Sequence, residues 1–105
     1  MDFSYHFQGI DFEWDAEKAA LNLKNHKVSF ETACEVFFDP FLQIEDAGMV
    51  ENEAREAVIG LTLSWKLLYV VYIMRDEKLR IISSRLATRE EQKRYEYQST
   101  KNAIE

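Results

Sequence analysis

A chain of 105 residues that is 47% hydrophobic and 13% aromatic, with three Gly and one Pro, has the material for one packed core and too little for two. No stretch approaches the roughly 18–20 apolar residues of a membrane span, and the N-terminus lacks the basic and apolar parts of a signal peptide, so a single cytoplasmic domain over residues 1–105 without membrane contact is expected. The net charge of −6 argues against nucleic acid on average, yet residues 1–60 hold 13 acidic and 4 basic side chains while residues 61–105 hold 6 and 9, which points to a basic face on an acidic body or to two faces for two partners.

Residues 1–9 carry no strong pattern and read as an extension or an edge strand. Ile10, Phe12 and Trp14 alternate with Asp11 and Glu13, the period-2 signature of a strand with one apolar face. Asp15 then caps a helix over roughly residues 15–26, its inner face expected at Ala16, Ala19, Ala20 and Leu23, and Asn25 and His26 suit its end. Ser29 caps a second, short helix with Phe30, Ala33, Cys34 and Phe37 at helical spacing. Asp39-Pro40 stops it, because proline disfavours helical geometry in the residue before it. The lone Cys34 has no disulfide partner and no zinc-ligand spacing around it, so it reads as a small core residue.

Phe41–Glu45 reads as a strand and Asp46–Ala54 as a polar loop. Arg55–Thr62, Lys66–Arg75 and Lys78–Leu86 are rich in Val, Ile, Leu and Tyr and are separated by Leu63-Ser64-Trp65 and Asp76-Glu77, short enough for an antiparallel meander. The unbroken apolar run Leu67–Met74 implies a central strand covered on both faces. Thr88 and Glu91 form a capping box for a last helix ending near Gln98, with residues 99–105 as a flexible tail. Only Tyr95 and Tyr97 give this helix large apolar surface, so it docks through tyrosine or against another chain. The expected class is α+β, in the order β-α-α-β-β-β-β-α, with helices on one face of a curved antiparallel sheet.

Several of these segments together resemble a known family. Phe12-Glu13-Trp14-Asp15, Lys18, Asn22, His26, Val28-Ser29-Phe30 and Ala33 are similar to the opening signature of the BrnT family of bacterial toxins. Phe37-Phe38-Asp39-Pro40, Arg55 with Ile59-Gly60, and the block Arg80–Glu91 followed by Tyr95-Glu96 are similar to its remaining motifs, so the resemblance runs from Phe12 to Glu96. One departure is local: the family usually has Gly after the helix-ending His, and here Lys27 stands there. The resemblance implies a RelE/ParE-like fold, a metal-independent ribonuclease that arrests growth, and a BrnA-like antitoxin that restrains it and helps repress their shared operon. DNA would then be met only indirectly, through the antitoxin.

RNA is cut without metal or cofactor when its 2′-hydroxyl loses a proton and attacks the adjacent phosphorus, which requires a base, an acid and fixed positive charge. His26 is the only His in the family-like region, and an imidazole titrates near neutrality, so it is the first candidate for proton transfer, beside its structural use at a helix end. Arg85, which ends a strand, and Arg89, at a helix N-terminus, are the preferred phosphate ligands of the catalytic set, with a plain surface ion pair to Glu90 or Glu91 as the equal alternative for each. Arg55, Arg75 and Arg80 are further phosphate candidates, and strict alternation sets Arg80 and Arg85 on opposite strand faces. Lys24 and Lys27 flank His26 as a basic rim or a solvated helix face. Tyr72 and Tyr95 serve as base-stacking candidates or as core. Glu13, Asp15 and Glu17 do not form a metal cage. Two functions stay open: an endoribonuclease toxin acting on RNA, and a non-catalytic module that acts through antitoxin binding and operon repression.

Overall fold

Strands β1 (Asp2–Phe7) and β2 (Ile10–Asp15) form a hairpin closed by Gln8 and Gly9, both with positive φ, as the right-handed strand twist favours in two-residue turns. This computed structural model describes residues 1–104, with side chains through Lys101. Helix α1 (Ala16–His26), helix α2 (Phe30–Cys34) and a 3-10 turn (Glu35–Phe38) follow. Then come β3 (Gln43–Val50), β4 (Glu53–Leu61), β5 (Leu67–Arg75), β6 (Lys78–Leu86) and helix α3 (Arg89–Ile104). The strands make one open sheet in the order β1-β2-β6-β5-β4-β3. All neighbours are antiparallel except β2 and β6, which run parallel through Phe12–Leu79 and Glu13–Arg80.

The α+β class and the element order are as expected, with residues 1–9 supplying an edge strand. Two boundaries differ. Residues 46–50, read as loop, extend β3, and the chain turns at Glu51-Asn52, both with positive φ. Their polarity reflects an edge hairpin facing solvent on both sides rather than an absence of pairing. Helix α3 continues past Gln98 to Ile104, and the tail expectation otherwise falls on Glu105, outside the described residues.

Alternation along β4 and β5 sorts the core into two layers. Val58, Leu68, Val70 and Tyr72 point with Phe12, Trp14 and Ile81 toward Val28, Phe30, Ala33, Cys34 and Val36, so α1, α2 and the 3-10 turn cover this face. The approach is close at Gly60, where a Cβ would stand 2.9 Å from both Cβ and carbonyl oxygen of Val36. Ile59, Leu61, Leu67 and Tyr69 point the other way and pack around Tyr95 and Ala87. Helix α3 therefore lies on the second face, which corrects the expectation that all helices share one. The apolar run of β5 is the physical reason, since it needs cover on both sides.

Helix α1 is also turned from its expected orientation. Ala16, Ala20 and Leu23 are exposed, Leu23 to 49%, and the buried residue is Asn22. Its carboxamide donates to the carbonyls of Val28 (3.0 Å) and Ser84 (2.8 Å) and accepts the Ser84 N–H (3.1 Å). Strand β2 pairs with β6 only at Leu79 and Arg80, so Asn22 supplies at Ser84 the hydrogen bonds a neighbouring strand would have made. Asn22→Ala should cost about 2–4 kcal/mol by leaving buried backbone groups unpaired. Ser84→Ala, whose buried hydroxyl has no partner, should cost less than about 0.5 kcal/mol. Urea denaturation of both variants tests the pair.

Candidate active site

The arginines of the C-terminal strands are sorted by one irregularity. Along β5–β6, Val71 pairs with Ser83 but Tyr72 pairs with Ile81, so Ile82 is an extra residue in β6, a β-bulge. Strict alternation would set Arg80 and Arg85 on opposite faces. The bulge shifts the parity and puts Arg80, opposite Ile73, on the same face as Arg85, opposite Tyr69. Arg55 in β4 shares that face with Ala57 and Ile59. Arg55, Arg80 and Arg85 thus border a strip floored by Ala57, Val71 and Ser83, on the side of the sheet that α3 only partly covers. Between the rows of Ile73 and Tyr69 the strip is about 13 Å long, at roughly 3.3 Å per residue, so it suits successive phosphates of an extended strand better than one phosphate.

Carboxylates already engage several of these cations. Arg80, 13% exposed, donates to Glu13 (3.0 Å) and Asp2 (2.9 Å), and those hydrogen bonds raise its pKa. Arg85 donates from both terminal nitrogens to Glu91 (2.7 and 2.9 Å) and lies 4.3 Å over the Tyr69 ring. Glu91 also accepts the Thr88 N–H at 2.8 Å, completing the expected capping box. Arg75 pairs with Glu53 at the far hairpin, and Arg94 with Glu45 on β3. Arg55 and Arg89 have no carboxylate partner among the described residues, and the Arg55 Nε is buried without a hydrogen-bond partner.

At the end of β6, two of the three residues proposed for chemistry, His26 and Arg85, belong to opposite faces of the sheet. His26 closes α1 and lines a cleft of about 190 Å³ with Lys27, Ser29, Thr32, Ser64 and Lys66. Leu86 borders the same cleft, while its neighbour Arg85 belongs to the opposite face. Arg89, exposed, opens α3 three residues later. Lys27 takes the left-handed conformation (φ 60) that the family's usual Gly would adopt freely, and its N–H still closes the helix on the Leu23 carbonyl. Lys24 is exposed in the last turn of α1.

The remaining candidates are built into the core. Tyr72 donates to Glu56 at 3.0 Å, and burial with that carboxylate pushes its phenol up to about 12. Tyr95 donates at 2.6 Å to Asp39, which also takes the Leu61 N–H at 2.8 Å, and burial with Asp39 likewise pushes its phenol up. Both rings are buried, so neither presents a face for stacking. Burial also pushes up the Cys34 thiol, which leaves it inert, as read from the sequence. Missed from sequence were Asn22 as the anchor of α1 and the contribution of Ser64 and Lys66. The last had a visible signal, a tryptophan in the hairpin turn Leu63-Ser64-Trp65, where burial is not available.

The chain is thus a small α+β domain with three arginines along one sheet face and a His-bearing cleft at the sheet's end. Its sequence is more specific. The family of ribonuclease toxins, BrnT, of type II toxin–antitoxin systems matches residues 14–91, and the chain belongs to that family. A type II toxin is paired with an antitoxin. Among solved structures the chain is similar to the ribonuclease toxin BrnT of Brucella abortus, at 20% sequence identity and a TM-score of 0.49, over 72% of this chain and 94% of that one. Among curated proteins nothing matches.

The Arg85–Glu91 pair gives a pH signature. Burial raises the Glu91 carboxyl, but its hydrogen bonds with Arg85 and Thr88 outweigh this and hold it below the ordinary value of 4.5. Its contribution to stability is therefore complete above that ordinary value and is lost as pH falls through the lower, folded one. Glu91→Gln should melt below the unsubstituted protein at pH 7, and the gap should narrow at acid pH. Thermal melts across that range measure it, and a constant gap would show that the pair does not titrate as described.

Proposed function

We propose that this member of the BrnT family cuts RNA without a metal at the end of β6, with His26 moving the proton and Arg85 and Arg89 stabilising charge on the phosphorane. The observation that supports the reading is the line of Arg55, Arg80 and Arg85 along one face of the sheet, with His26 in a cleft on the opposite face walled by Leu86, the residue after Arg85. The 2′-hydroxyl attacks the adjacent phosphorus, the bond to the 5′-oxygen breaks, and the products are a 2′,3′-cyclic phosphate and a free 5′-hydroxyl. Arg89 lies where helix amides already favour an anion. Arg85 meets a phosphate only by sharing its guanidinium with Glu91 or exchanging that carboxylate for the substrate. Lys24 and Lys27 add charge at the His26 end, and Arg75 lies outside the site, on the far hairpin.

The antitoxin is proposed to be BrnA-like and to carry any contact with DNA. Exposed Ile44, Met49 and Val50 on edge strand β3 support a protein partner, since apolar side chains on an open sheet edge favour pairing with another chain.

Purified protein incubated with RNA in EDTA should produce cyclic-phosphate ends. His26→Ala and Arg89→Ala, both exposed and therefore harmless to folding, should each lower the rate by about 10²-fold or more. Cutting at an unchanged rate in both variants removes these residues from the site. No cutting by the unsubstituted protein favours the non-catalytic module, for which the carboxylate pairing of Arg80 and Arg85 would be the structural basis.

A further inference from the structure

The cleft at the end of β6 holds more than its histidine. In a chain of net charge −6, four of the five clefts described include a carboxylate among their walls, and this one has none. Its lysines, Lys27 and Lys66, form no ion pair among the described residues. Its hydroxyls are oriented. Ser29 donates to the Thr32 oxygen at 2.9 Å, so the Thr32 proton is free to donate onward. At about 190 Å³ the cleft is nucleotide-sized and too small for a folded element.

The hairpin that supplies Ser64 and Lys66 also carries Trp65 between them, 82% exposed and held with φ +65 by its N–H to the Thr62 carbonyl. A left-handed, solvated tryptophan loses both backbone ease and apolar burial, and this one borders the adjoining cleft with Phe38, Pro40 and Leu61, beside Glu35 and Asp39. A single-stranded nucleic acid would use it, because every base has a face that stacks on an indole. Leu86 in the cleft wall directly follows Arg85, so the cleft and the arginine strip meet β6 at the same end, on opposite faces of the sheet.

We propose that the cleft between α1 and the β4–β5 hairpin is a subsite for single-stranded RNA, in which Lys27, Lys66 and Thr32 take a backbone phosphate and Trp65 stacks on a neighbouring base. It deepens the ribonuclease reading and rests on it. It gives the enzyme a grip on unpaired RNA beside the scissile bond, so duplex RNA, whose bases are stacked on each other, is excluded from Trp65.

The test uses the full chain and a single-stranded hexanucleotide with 2′-O-methyl riboses, which cannot be cut by attack of the 2′-oxygen. Trp65 is one of only two tryptophans, and Trp14 is buried, so stacking reports directly as quenched fluorescence. Saturable quenching is expected, with affinity falling about tenfold or more in Lys66→Glu, falling in Trp65→Leu when read by anisotropy of a labelled strand, and falling as salt rises. Lys66 makes no side-chain hydrogen bond among the described residues, so its variant should keep the native circular dichroism. Absent quenching, or unchanged affinity in a folded Lys66→Glu, overturns the subsite. Equal affinity for a poly-glutamate peptide also overturns it, by assigning the cleft to an acidic protein segment. Because the probe is inert, binding without cleavage of natural RNA retains the subsite while removing the nuclease reading. Cleavage of natural RNA by a chain that ignores the probe does the reverse.

Discussion

Strand β2 leaves the sheet for α1 immediately after it has paired with Leu79 and Arg80, and the outer edge of β6 beyond that point would be left without backbone partners. The Asn22 carboxamide takes up the N–H and C=O of Ser84 and, with its second N–H, reaches the Val28 carbonyl that follows the helix. One side chain thereby ties the helix, the turn after it and the edge strand together through buried backbone hydrogen bonds. His26 lies one helical turn after Asn22 and Lys27 one residue further, so the orientation of both at the end of β6 follows from this anchor. The same demand explains why α1 buries an amide and leaves Leu21 and Leu23 in solvent.

The second constraint is electrostatic. The cations of this acidic chain are segregated, and the extra residue at Ile82 performs part of that segregation by returning Arg80 to the face of Arg85. The carboxylates of Glu13 and Glu91 hold those guanidiniums in place but also compete with phosphate for them. Arg55, Arg89, Lys27 and Lys66 carry no such competitor among the described residues.

The features legible in the sequence were those with a local cause. Period-2 alternation at Ile10–Trp14, the Asp15 and Ser29 caps, the Asp39-Pro40 stop and the Thr88–Glu91 capping box each rest on residues a few positions apart, and each stands where it was read. The family was legible because its motifs are ordered along the chain. What stayed hidden depends on distant partners: Asn22 and Ser84 are 62 residues apart, and nothing in α1 alone says that its amide outranks its leucines. The bulge was hidden because Arg80–Leu86 reads as an ordinary alternating strand, and only the pairing with β5 shows that Ile82 has no counterpart. The side of the sheet taken by α3 was half legible, since β5 announced that it needed a second cover without saying which helix would supply it.

Helix α3 is held differently from the rest of the molecule. Among the described residues its contacts are the buried Tyr95 with its hydrogen bond to Asp39, the Arg85–Glu91 and Arg94–Glu45 pairs, and little apolar area, whereas α1 and α2 close over the larger aromatic layer. Its backbone amides should therefore exchange with solvent deuterium through a local opening that costs much less than global unfolding. Each such opening separates Glu91 from Arg85, so the guanidinium becomes available to an anion at a frequency set by the loosest element of the fold, without any rearrangement of the sheet beneath it.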